Sequence, residues 1–171
     1  RYPVWSADGQ RVAFQSDREG DLGIFWQKAD GTGTAERLTK PEKGIAHIPD
    51  SWAPDGKKFS YTAFTSSESS VVIFSIQDKT STVFVEKAGV FFGRSAFSPD
   101  GQHVAAGMVT YLGARGTIVY TNDLGQAQGP YDTTSKISRC VSLMIFNANG
   151  TAPFLAASAL CDDDNAHPGE G

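Results

Sequence analysis

The stretch Pro3-Val4-Trp5-Ser6-Ala7-Asp8-Gly9-Gln10-Arg11-Val12-Ala13-Phe14 returns twice. It comes back as Ser51-Trp52-Ala53-Pro54-Asp55-Gly56-Lys57-Lys58-Phe59-Ser60-Tyr61 and again as Ala96-Phe97-Ser98-Pro99-Asp100-Gly101-Gln102-His103-Val104-Ala105. Trp5, Trp52 and Phe97 are spaced by 47 and then 45 residues. Recurrence at that interval means that one supersecondary unit has been copied along the chain. Each Asp-Gly marks a tight turn, since Gly accepts positive φ and Asp can hydrogen-bond its own backbone. Polar and apolar residues then alternate, as in Arg11-Val12-Ala13-Phe14-Gln15-Ser16, with the two-residue period of a half-buried strand.

Working outward, copy one reads as four strands: residues 2–6, 11–16, 22–28 and 36–39. Copy two gives 48–52, 58–64, 71–77 and 82–85, and copy three gives 94–97, 103–109 and 116–121, its fourth strand being unclear. Four-stranded antiparallel sheets of this size stack face to face around an axis as β-propeller blades, because one blade cannot bury its own faces. The aromatic at Trp5, Trp52 or Phe97 is large enough to fill the wedge between neighbouring sheets. The expected architecture is all-β: a partial propeller of about three and a half blades over residues 1–156. The blades fall at about 2–39, 48–86 and 93–130, with a degraded fourth at 137–156 and a disordered tail at 157–171. Val141 to Thr151 resembles the third strand and turn of copy one, but no hairpin motif precedes it.

Composition places the 171 residues among globular proteins, with 40% hydrophobic and 20% charged residues. A net charge of −4 argues against a nucleic-acid surface, which needs clustered Lys and Arg. No apolar run is long enough for a membrane helix. Cys140 and Cys161 are 21 residues apart, a spacing that allows a disulfide without requiring one. Asp162-Asp163-Asp164 lacks the glycine and terminal Glu of a calcium loop and reads as a solvated tail, so neither metal nor cofactor is expected. The chain starts at Arg1, already inside a repeat, without an initiating Met or a signal peptide. It is therefore expected to be a fragment of a longer protein. Closing the ring would take blades from the parent chain, a second copy of this one, or an irregular fourth blade.

The three hairpin copies quoted above resemble the TolB-type (WD40-like) propeller repeat. Ile24-Phe25-Trp26 with Asp30-Gly31 and Arg37-Leu38-Thr39 matches the second half of that repeat. The resemblance covers about residues 1–125 and implies a non-catalytic bacterial module for protein or peptide binding, in the periplasm or cell exterior. It equally allows the propeller of a prolyl-oligopeptidase-like serine hydrolase, or a propeller that is itself a hydrolase. Yet the nucleophile elbow Gly-x-Ser-x-Gly is interrupted in its nearest approach, Gly93-Arg94-Ser95-Ala96-Phe97, and His47, His103 and His167 imply no triad by their order alone. No catalytic residue is assigned. Residues just before each aromatic lie on the innermost strand, so Tyr2, His47, Asp50, Phe92 and Arg94 are the candidates to face a central channel.

Overall fold

The computed structural model describes residues 1–87, 90–111, 116–121, 127–133, 139–149 and 154–158, with side chains described for 1–87, 90–109 and 143–149. All regular structure among them is β-strand. The first sheet is β1 (Val4–Trp5), β2 (Arg11–Ser16), β3 (Gly23–Lys28) and β4 (Glu36–Arg37), paired in that order. The second is β5 (Ala46–Trp52), β6 (Lys58–Phe64), β7 (Ser69–Ser75) and β8 (Thr80–Val85), again an antiparallel meander.

Each repeated motif folds as the same turn. In copy one, the Gly9 N–H donates to the Ser6 carbonyl, and the Asp8 carboxylate accepts from the Gln10 N–H at 3.0 Å. The Ser6 hydroxyl oxygen accepts from the Arg11 N–H at 2.9 Å. Copy three repeats all three contacts with Ser98, Asp100, Gly101, Gln102 and His103. Copy two has Ala53 in place of the serine and keeps the other two. Gly9, Gly56 and Gly101 adopt φ of 68°, 70° and 71°, where a Cβ is strained.

The third sheet departs from the expected blade boundaries. Its inner pair is β9 (Val90–Phe97) and β10 (His103–Tyr111). The next strands in the chain, β11 (Gly116–Thr121) and β12 (Ala127–Thr133), pair among the described residues only with each other, as a separate two-stranded sheet. The sheet is completed instead by β13 (Arg139–Asn147) on β10 and β14 (Phe154–Ser158) on β13. Thus the strand read at 116–121 belongs to an insertion, and the segment read as a degraded fourth blade supplies strands three and four of the third. The register explains why. His103 faces Asn147 as Arg11 faces Lys28. The Ala148 N–H then donates to the Gln102 carbonyl as Ala29 does to Gln10 and Ile76 to Lys57. The third-strand position is defined by that bond back to the turn, and among the described residues of this sheet it is made by Ala148, directly after β13. The expected tail, the Cys140 and Cys161 thiols and the Asp162–Asp164 run lie outside the described residues, apart from the Ala157–Ser158 backbone and that of Cys140.

Two apolar layers hold the sheets face to face. Between the first and second lie Ala13, Ile24, Trp52, Phe59, Tyr61, Val72 and Phe74, with Trp26 and Trp52 stacked at 6.0 Å and 9°. Between the second and third lie Val71, Val90, Phe92, Ala106 and Phe146. Trp52 therefore fills the wedge as expected, whereas Trp5 is 61% exposed, with no sheet on its outer side among the described residues. Strand β5 touches both β1 and β9, so the first strands of the three sheets converge, as the inner strands of a propeller must. Together these features form a partial β-propeller.

Candidate functional site

The convergence of first strands makes a cavity of about 560 Å³. Tyr2, preceding β1, closes one side; Ile48 and Asp50 of β5 and the run Phe91 to Arg94 of β9 form the walls, with Phe64 and Val109 at the ends of β6 and β10. Strand alternation decides who faces it. On β5, His47 and Pro49 point toward the first sheet and are buried, while Ile48 lies between them on the opposite face. A β-bulge falls between Pro49 and Ser51, and a second one between Phe92 and Ser95 of β9. Such insertions re-aim side chains. Here the first lets Asp50 and Ser51 both reach β9, bonding Ser95 and the Phe97 N–H, while Trp52 still packs on Trp26. Tyr2 is turned into the cavity by a left-handed backbone, φ 54°, a strained conformation for a non-glycine.

Four of the five sequence candidates, Tyr2, Asp50, Phe92 and Arg94, thus line one cavity. His47 does not. Its ring packs on Tyr61 with centroids 4.6 Å apart, and its Nδ1 is 2.9 Å from the Thr39 hydroxyl. Its carbonyl accepts from Gln15 Nε2 at 3.0 Å. Burial pushes the imidazole down to about 4, with opposing smaller pulls from Asp21 and Arg37. It is a neutral structural residue of the inter-sheet layer.

Asp50 is the unusual group. Its Oδ2 accepts from the Thr62 hydroxyl at 2.8 Å, the Ser95 hydroxyl at 2.9 Å and the Ser95 N–H at 3.2 Å. Its Oδ1 is buried and has no hydrogen-bond partner. Burial raises the carboxyl to about 6, and the hydrogen bonds from Thr62 and Ser95 and the charge of Arg94 offset only part of this. Arg94 is exposed at the mouth, its guanidinium 5.1 Å from the Tyr2 ring centroid. Asp50 and Arg94 do not form an ion pair with each other, unlike Arg37 with Glu19 and Asp21. Ser95, the serine of the interrupted elbow, is a buried strand residue whose proton is committed to Asp50. Among the described residues no cluster of three or more His, Cys, Asp or Glu side chains could hold a metal.

Phe64 and Phe91, 5.6 Å apart, together with Ile48 and Val109, were not singled out from sequence. The apolar run Val90-Phe91-Phe92 just ahead of the third motif was the available signal. A cavity with aromatic walls and a few convergent polar groups is the usual form of a ligand site.

No family model matches the chain. A stretch of 60 residues is 38% identical to the uncharacterized peptidase YuxL of Bacillus subtilis (strain 168), covering 35% of this chain and 9% of that protein. TolB from Acinetobacter baumannii shares the fold, with 19% identity, a TM-score of 0.54, and coverage of 93% of this chain and 43% of that one. So does a prolyl endopeptidase structure, at 17% identity, TM-score 0.56, over 94% of this chain and 22% of the other. The AtxE2 isopeptidase is similar as well, at 16% identity, TM-score 0.56 and coverages of 91% and 28%. The chain has a TolB-like β-propeller fold and spans less than half the length of each of these proteins.

Proposed function

We propose that this TolB-like propeller segment is a non-catalytic docking module, binding an extended protein or peptide segment in the cavity between its inner strands. The observation that carries the reading is the juxtaposition of Asp50 and Arg94, opposite charges that share one aromatic-walled cavity without pairing with each other. Burying a charge without a partner is costly, and a ligand of complementary polarity would relieve it. The likeness to TolB supports a protein-interaction role and a periplasmic or extracellular setting.

A second reading is favoured by the stretch shared with peptidase YuxL and by the fold shared with prolyl endopeptidases. In it the same cavity admits peptide substrates to a hydrolase domain elsewhere in the parent protein. The exposed face of Trp5 is where a further blade, or a second copy of the chain, would complete the ring.

The test is affinity selection with synthetic hexapeptides of random sequence and free termini, followed by titration of single peptides. Replacing Phe91 or Arg94 by alanine should weaken selected peptides about tenfold or more, and Val83→Ala on the outer strand should not. Unchanged affinity in both cavity variants refutes cavity docking. A hydrolase domain in the full reading frame would favour the second reading over the first.

A further inference from the structure

We infer that the cavity recognises a peptide by its N-terminus: Asp50 takes the α-ammonium group, and an apolar first side chain lies against Phe91, Phe92 and Val109. This rests on the peptide-docking reading above and adds the chemistry of the docked end.

The argument starts from the two oxygens of one carboxylate. Three protein donors, the Thr62 hydroxyl and both donors of Ser95, converge on Oδ2, and Oδ1 is buried with none. An ionised carboxylate has about four acceptor sites, and a buried acceptor left unmade is destabilising. The protein has thus fixed the position of Asp50 from one side only; the residue lines the cavity, and a donor that reaches its buried Oδ1 must first displace the groups that cover it.

A cation fits that place better than a neutral donor. The nearby positive charge, Arg94, is exposed and lies over the Tyr2 ring rather than on Asp50, so it offsets only part of the carboxylate's desolvation. A buried carboxylate in that condition takes up a proton or a cation.

The walls then choose the kind of cation. Ile48, Phe91 and Val109 share the cavity with the acid, so the ligand must carry apolar surface within a bond or two of its charge. A lysine carries its ammonium at the end of a long stem, whereas an N-terminal residue carries its side chain one carbon away. Its first carbonyl is then free to meet Arg94 at the mouth, where the chain would leave. About 560 Å³ is within the usual range for small-ligand sites and accommodates more than a single residue.

A pH signature follows. The charged and titratable groups facing Asp50 are Arg94 of β9 and Tyr2 before β1, with Thr62 of β6 and Ser95 of β9 as polar neighbours. Asp50 is half charged at about pH 6 and gains charge above it, and a peptide α-amine is half charged near about 8 and loses charge above it. Affinity should peak between these values and fall on both sides.

The experiment is calorimetric titration of the full chain with the peptide Phe-Ala-Ser-Ala-amide, its N-acetyl form, and free phenylalanine, from pH 5 to pH 9. Acetylation should weaken binding about 10- to 100-fold, and Asp50→Asn should abolish that preference. The bell-shaped profile of the unmodified protein tests the same point without a variant. Equal binding of the acetylated peptide, or a profile flat across this range, overturns the inference and leaves docking standing. Failure of both peptides to bind overturns docking and this inference with it. Free phenylalanine binding as tightly as the peptide overturns the peptide part.

Discussion

His47→Gln and Asp50→Asn should unmask two opposing pH dependences that cancel in the unmodified protein. Burial holds His47 down to about 4, against 6.5 for an unperturbed imidazole. Between those values the unfolded chain binds a proton that the folded chain refuses, so stability falls as pH drops from about 6.5 to about 4. At about 1.4 kcal/mol per pH unit, this is of order 3 kcal/mol. Burial raises Asp50 from 3.8 to about 6, and here the folded chain holds the extra proton. Its contribution therefore grows as pH drops through about 6 toward 3.8, again by an amount of order 3 kcal/mol. The carboxylates held below their ordinary value, Asp8, Asp21, Asp30 and Asp100, lose their contribution only below about 3.8, outside this window. Urea unfolding at half-unit pH steps from 4 to 7 reads the three proteins directly. The unmodified chain should be nearly flat. His47→Gln should become more stable toward acid, and Asp50→Asn less stable. Parallel curves for all three, or slopes of the reverse sign, would refute the assignment of His47 as a neutral structural residue and Asp50 as a desolvated acid.

Trp52→Ala should cost about 3–5 kcal/mol, because it empties the stack between the first two sheets; Trp5→Ala, exposed in the same motif position, should cost far less, both read by urea unfolding. Gly23→Ala should destabilise by about 1–3 kcal/mol, since a Cβ there would stand 2.6 Å from the Thr39 carbonyl and 3.0 Å from Arg37; a neutral result would show that β4 adjusts freely. Replacing residues 112–138 by Asn-Gly should preserve the fold, because Tyr111 already faces Arg139 across β10 and β13. Circular dichroism and a retained cooperative transition check this, and loss of the transition would assign β11 and β12 to the sheet after all.

Much of this was legible from the sequence, for a physical reason. The Ser-x-Asp-Gly turn is local: Ser6, Asp8 and Gly9 satisfy one another within six residues, so the pattern carries its own structure. The propeller reading follows from repeating it. What failed was non-local. Residues 116–121 carry the apolar run Ile118-Val119-Tyr120 as β3 carries Ile24-Phe25-Trp26, and Asn122-Asp123 follows as a turn signal like Asp30-Gly31, so an inserted hairpin looks the same as a third strand. The partner that distinguishes them, β10, comes from pairing rather than from pattern. At the cavity, proximity to the wedge aromatic located Tyr2, Asp50, Phe92 and Arg94. Strand parity removed His47, and the bulges at Asp50 and Gly93-Arg94 have no signature in the residues themselves.

The central claim is that ligands dock between the inner strands rather than along the outer edge. It is tested most directly by placing a photocrosslinking residue at position 91, in the cavity wall, or at position 83, on exposed β8. Each protein is irradiated with the biotinylated hexapeptides selected above. The account predicts labelling from position 91 and none above background from position 83. Labelling confined to position 83, or equal at both, would contradict it.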